Sequence, residues 1–180
     1  MSKLARQGRM SSQSRRGVRT ATALGAASLG LVALSACEKP SPMVTVTVGD
    51  DSVTTEAACY DDGKAIPSIN GKSVPQGELR KCLAKAPEET ISVDTGEKVR
   101  IGVDPKTAHD GWLVLVDGSG VLPERLKKTY YSLPGNELFQ EQEPGKPPVT
   151  KKRVQLTVVQ TSGGDFNGVW HITLKNTSGE

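Results

Sequence analysis

Residues 153–174 read RVQLTVVQTSGGDFNGVWHITL, two alternating halves around a glycine-rich centre, and this stretch decides the fold. Val154, Leu156 and Val158 fall on one side of an extended chain, while Gln155, Thr157 and Val159 fall on the other. Successive side chains of a strand point to opposite faces, so a period of two marks a strand with two different surroundings. Ser162-Gly163-Gly164-Asp165 supplies residues suited to a tight reversal. From Val169 the alternation returns, with Val169, His171 and Thr173 opposite Trp170, Ile172 and Leu174. The stretch predicts a β-hairpin, Arg153–Gln160 against Val169–Leu174, with Trp170 in the core.

The same period recurs toward the N-terminus. Met43-Val44-Thr45-Val46-Thr47-Val48 alternates apolar and hydroxyl residues and stops at the turn cluster Gly49-Asp50-Asp51. Ser52 to Tyr60 resumes it, with Val53, Thr55, Ala57 and Cys59 on one face, giving a hairpin or neighbouring strands. Turns follow at Asp61-Asp62-Gly63-Lys64 and Asn70-Gly71-Lys72. Thr90–Val93 and Lys98–Val103 are predicted as the next pair, joined at Asp94-Thr95-Gly96-Glu97. Trp112–Val116 is apolar throughout, which predicts a central strand buried on both faces. Helical signals are sparse: a short helix within Pro75–Ala86, and one turn at Pro123–Lys128. Tyr130-Tyr131 starts a short strand, and 141–148 is a loop rich in Pro, Gly and charge.

Seven or eight short strands with a turn about every ten residues imply an antiparallel, immunoglobulin-like β-sandwich with one or two short helical turns. No tryptophan lies between Cys59 and Cys82, so the pattern of antibody domains is not met in detail. No internal repeat is visible.

The first 36 residues have a different character. They carry Lys3, Arg6, Arg9, Arg15, Arg16 and Arg19 and no acid, then an uncharged run from Thr20 to Ala36. A basic head, a short apolar run and small residues before a cut site are the parts of a secretory signal. A signal-anchor is the alternative, but the run is short for a bilayer span of about 20 residues. It ends in Leu34-Ser35-Ala36-Cys37, which resembles the lipobox of bacterial lipoproteins. Small residues admit the chain to the peptidase, and the Cys37 thiol takes the lipid, whose two or three acyl chains give stable anchoring. Ser14-Arg15-Arg16-Gly17-Val18 is similar to a twin-arginine export signal, and general secretion is the equal alternative. The expected organisation is a signal peptide over 1–36, a lipidated cysteine and tether over 37–42, and one domain over 43–180.

Removing the signal changes the charge argument. The 180-residue chain has 23 basic and 20 acidic residues, but six basic ones leave with the signal, so 17 face 20 and the net charge becomes −3. Nucleic acid is not an expected partner, because a clustered basic face is wanted there. Once Cys37 is acylated, Cys59 and Cys82 remain, and a lone pair in an oxidising compartment is expected to bond. That bond is worth roughly 3 kcal/mol on a chain-entropy argument. Their wide spacing argues against a redox pair of the C-x-x-C kind.

Catalytic patterns are missing. Gly118-Ser119-Gly120 lacks the frame of a nucleophile elbow, and there is no phosphate loop or nucleotide fingerprint. The acidic pairs Asp50-Asp51 and Asp61-Asp62 lack calcium-loop spacing and read as turns. No metal or other cofactor is expected, and His109 reads as a surface residue of a loop before the Trp112 strand; if a metal bound at all, His109 with Asp104 and Asp110 would hold it. Tyr130, Tyr131 and Phe139 flank a proline-bounded region, where they are expected to cover one end of the sandwich or, if a partner binds there, to form its face. Lys127-Lys128 and Lys151-Lys152-Arg153 offer charge to anionic envelope polymers or headgroups.

Several segments together carry a resemblance: the lipobox, Val44-Thr45-Val46-Thr47-Val48-Gly49-Asp50, Ala57-Ala58-Cys59-Tyr60, Arg100-Ile101-Gly102-Val103-Asp104-Pro105, Gly111-Trp112 and Gly168-Val169-Trp170. They are similar to an uncharacterised family of small actinobacterial lipoproteins. The resemblance implies a lipid-anchored envelope protein without assigned activity, and it brings no catalytic or binding residues. The sequence as a whole predicts a non-enzymatic binding or adaptor module on the outer face of the cytoplasmic membrane. Its expected partners are the membrane, through the N-terminal lipid, and an envelope protein or cell-wall polymer. A small-ligand or metal carrier at His109 is the alternative, and an envelope hydrolase with an unrecognised site comes last.

Overall fold

The computed structural model describes residues 41–66, 77–142, 145 and 147–178. The expected signal segment, Cys37 and the turn at Asn70–Lys72 lie outside the described residues. In chain order the strands are β1 (Val44–Val48), β2 (Asp51–Thr55), β3 (Cys59–Tyr60), β4 (Glu89–Val93), β5 (Lys98–Val103) and β6 (Trp112–Val116). They continue with β7 (Ser119–Gly120), β8 (Tyr130–Pro134), β9 (Gln140–Glu141), β10 (Val149–Thr150), β11 (Arg153–Ser162) and β12 (Asp165–Asn176). Among the described residues three short helices interrupt them: α1 (Glu78–Leu83), α2 (Pro105–Asp110) and α3 (Gly135–Leu138), where one or two short helical turns are expected from the sequence.

Two sheets form a β-sandwich. The smaller has the order β2-β1-β5-β8, all antiparallel. The larger runs β3-β12-β11-β6-β7, and β4 adds to β12 beyond β3 as a parallel pair. The hairpin expected at 153–174 is β11-β12, closed by Gly163 and Gly164, both at positive φ, where glycine is the residue without steric cost. A register shift at Gln160/Thr161 accommodates one extra residue near the turn. Beside it, a side chain at Gly168 would run into the Trp170 ring, so the backbone must pass bare there.

Alternation translates directly into layers. Val44, Val46 and Val48 point inward from β1, Val99, Ile101 and Val103 from β5, and Val154, Leu156 and Val158 from β11. They meet Trp170, Ile172 and Leu174 from β12 in one core. Both tryptophans are buried with their indole N–H satisfied: Trp170 donates to the Pro42 carbonyl (2.8 Å) and Trp112 to that of Lys128 (2.8 Å).

Four expectations are corrected. Thr90–Val93 and Lys98–Val103 are not paired, since β4 belongs to the larger sheet and β5 to the smaller. Ile91 and Val99 face the same core from opposite sides, a pattern that local alternation cannot distinguish from a hairpin. Pro123–Lys128 is no helical turn; Leu126 exchanges two backbone hydrogen bonds with Trp112 instead. The segment before Trp112 is α2 rather than loop, with Pro105 at its start, where a missing N–H costs nothing. Finally, β6 is buried on one face only: Trp112, Val114 and Val116 are buried, whereas Leu113 and Leu115 are half-buried.

Candidate functional site

The outward face of the larger sheet carries an apolar patch of its own. Leu113 and Leu115 of β6, Val159 of β11, and Phe166 and Val169 of β12 all lie on it. Part is roofed by α1, whose Leu79 (0% exposed) and Cys82 pack on Val159 and Val169. A helix of six residues spans only about 9 Å and cannot persist by its own hydrogen bonds. Two tertiary ties hold it: buried Leu79, and the Cys59–Cys82 disulfide, which joins α1 to β3 as expected. Among the described residues, α1 covers only part of this face. What remains is a cleft of about 470 Å3 bounded by Leu79 and Leu83 above, Leu113, Leu115 and Val159 below, and Phe166 at the side.

A polar seam runs along one side of this cleft, through Gln155 and Thr157. Both reach a buried histidine. His171 (2% exposed) places Nε2 2.8 Å from the Cys82 carbonyl, which can only accept, so Nε2 carries the proton. Nδ1 is then an acceptor, and it lies 2.9 Å from Thr157 Oγ1 and 2.9 Å from Gln155 Nε2. Burial lowers the His171 pKa and nearby Lys85 lowers it further, outweighing the hydrogen bond to Cys82. The neutral ring therefore ties the cleft floor to the helix that roofs it.

Asp117 and Gly118 also line the cleft. Desolvation pushes the Asp117 carboxyl up, but the Gln155 backbone N–H (2.8 Å) and the Lys151 ammonium (2.9 Å) together hold it below the ordinary carboxylate range. Lys151 also pairs with Glu141 at 2.9 Å, and these two acids raise its pKa, Glu141 foremost.

The residues singled out in the sequence lie elsewhere. Phe139 is 2% exposed and belongs to the core, so it offers nothing to a partner. Tyr131 is half-buried against that core and Tyr130 is 59% exposed at the edge strand β8, so the three form no common face. Their apolar character made them candidates, but a strand followed by the helical turn α3 sends Phe139 inward. The His109 side chain is 86% exposed, with Nδ1 3.3 Å from Asp110 Oδ1. The other Asp110 oxygen accepts from Gln160 Nε2 (2.7 Å), and Asp104 accepts the Met43 N–H (3.0 Å). Among the described residues, no three His, Cys, Asp or Glu side chains gather as a metal site would need. Sequence reasoning missed Leu79, Leu83 and Phe166 as site residues. Its one usable signal was the unbroken apolar run at β6, which was read as burial.

No protein-family model matches the sequence, and no curated protein matches it. Among solved structures, the fibronectin(III)-like modules of CbhA from Clostridium thermocellum are similar over 53% of this chain and 94% of theirs. The identity is 14% and the TM-score 0.35, so the likeness carries no argument about this protein's role.

Proposed function

We propose that this protein is a lipid-anchored, extracytoplasmic binding module of the cell envelope, non-enzymatic, with the cleft under α1 as its working surface. The observation that carries this reading is the cleft itself: about 470 Å3, lined mainly by apolar side chains with a few fixed polar groups. Ligand sites have that size and composition. Its polar groups are suited to holding rather than transforming a ligand. His171 has both nitrogens engaged beneath the floor, and Asp117 is bound to Gln155 and Lys151. The lipobox ending in Cys37 supports the address, with the lipid fixing the domain at a membrane.

A photoreactive residue at position 115, in the full lipidated chain and its native membrane, tests both parts. The reading expects an adduct at 115 and little at position 47, on the outer face of the opposite sheet. It also expects Cys37→Ser to release the protein from the membrane fraction. Equal labelling at both positions would defeat the cleft as working surface, and membrane retention of Cys37→Ser would defeat the anchor.

A further inference from the structure

We infer that the occupant of the cleft is a small neutral amphiphile, an apolar body with a hydrogen-bond donor at its head, and not an acid. The inference rests on the binding reading above and adds the chemical class. Size comes first. A protein cavity of about 150 Å3 holds benzene, so 470 Å3 accommodates roughly eighteen heavy atoms. Leu83, Leu115 and Phe166 bound it and are half-buried, each with apolar area left to cover. A hydrocarbon chain or fused ring fits this description; a polymer strand does not.

The head follows from the direction of the hydrogen bonds. Because the Cys82 carbonyl requires the proton on Nε2 of His171, Nδ1 must be given donors. Thr157 spends its hydroxyl proton there, and Gln155 turns its amide nitrogen to the same atom and to Thr157 Oγ1 (3.4 Å). Reversing the Gln155 amide would set its oxygen against the Nδ1 lone pair, so the orientation is fixed. The side-chain donors of the floor are thus turned inward, and what remains for the cleft is Gln155 Oε1. Asp117, which also lines the cleft, is ionised, and its oxygens each receive one donor and keep a lone pair. Of the residues that line the cleft, Asp117 is the charged one. An anionic head would meet acceptors and this carboxylate; a hydroxyl or amide N–H would meet partners.

The test uses the full chain with Cys37→Ser, so that its own lipid is absent, and N-phenyl-1-naphthylamine as fluorescent probe, an apolar body of about the right size with one N–H. The expected result is saturable binding at one site per chain, displaced by dodecan-1-ol about tenfold or more better than by dodecanoate. Leu115→Asp should weaken the probe by about tenfold or more, and so should Leu83→Gln, on the helix wall. Thermal unfolding of each variant checks folding, and if Leu115→Asp does not fold, Leu83→Gln decides alone. Folded protein that binds no probe, dodecanoate that competes as well as the alcohol, or undiminished binding in the folded variants overturns the inference. A macromolecular adduct at position 115, together with no probe binding, would sink the small-amphiphile class while leaving the binding module standing.

Discussion

The two sheets turn different outer faces to their surroundings. That of the smaller sheet is plain: Thr45 and Thr47 of β1 stand beside Thr54 and Ser52 of β2, hydroxyl to hydroxyl at 3.0 and 3.1 Å, with Arg100 next in register. That of the larger sheet carries an apolar patch, is partly roofed by α1 among the described residues, and is crossed by a histidine that binds floor to roof. Both sheets share one core, so the contrast is not about folding the sandwich. The difference is plainest at β6, where Leu113 and Leu115 stand outward at positions that β1 fills with Thr45 and Thr47.

The contrast breaks most visibly at Leu79. This side chain is fully buried under the roof, and truncating it leaves a cavity that a helix stapled by a disulfide closes poorly. Leu79→Ala should cost about 2–5 kcal/mol, read as a lowered urea midpoint of the full chain. A loss under about 1 kcal/mol would mean that burial does not hold the roof, and the two faces would then differ in composition only.

That leucine also shows how far the sequence could be read. The sandwich was legible because Val44–Val48, Lys98–Val103 and the 153–174 hairpin alternate cleanly and end at strong turn residues. The disulfide was legible from Cys59 and Cys82 as the pair left after Cys37. The cleft was not. A continuous run such as Trp112–Val116 has the same composition whether a layer covers its second face wholly or in part. The partial cover comes from α1, which local propensity barely marks and tertiary ties stabilise. His171 could be placed on the face opposite Trp170, but nothing local shows that the carbonyl of Cys82, 89 residues away, accepts its hydrogen bond. Phe139 failed in the reverse sense, since aromatic character and nearby prolines look alike at a surface and at a core edge.

Acid should sharpen the contrast next. The His171 pKa is depressed in the fold, so below the ordinary histidine value of about 6.5 the unfolded chain binds the proton first. Stability from this site is complete above that pH and is lost as pH falls through 6.5 toward the depressed value, by at most about 1.4 kcal/mol per pH unit. The charged groups beside the ring are Lys85, which opposes protonation, and Glu56 and Glu88 in the adjoining recess. The loss should appear at the roof before the core, as faster amide exchange in α1 between pH 6.5 and 5 while β1 stays protected. In His171→Gln, whose amide still offers a donor to the Cys82 carbonyl, this pH dependence should vanish. A slope that persists in that variant would assign it to other groups and leave His171 a packing residue.

The smallest effect belongs to the plain face. Thr45→Val keeps the β-branched shape and removes only the exposed hydroxyl contact to Thr54. Exposed cross-strand pairs contribute a few tenths of a kcal/mol, so the urea midpoint should move by no more than about 0.5 kcal/mol. Probe binding at the cleft should not change, because the core lies between the two outer faces. If Thr45→Val cost well over 1 kcal/mol, the hydroxyl pairs of β1 and β2 would be part of the fold's support, and their exposure would no longer mark an idle surface. If it altered probe binding instead, the two outer faces would be coupled through the core, and the division of labour between the sheets would fail. A null result at Thr45 beside a large one at Leu79 leaves the division intact, with one sheet serving the core alone and the other serving the core and the cleft.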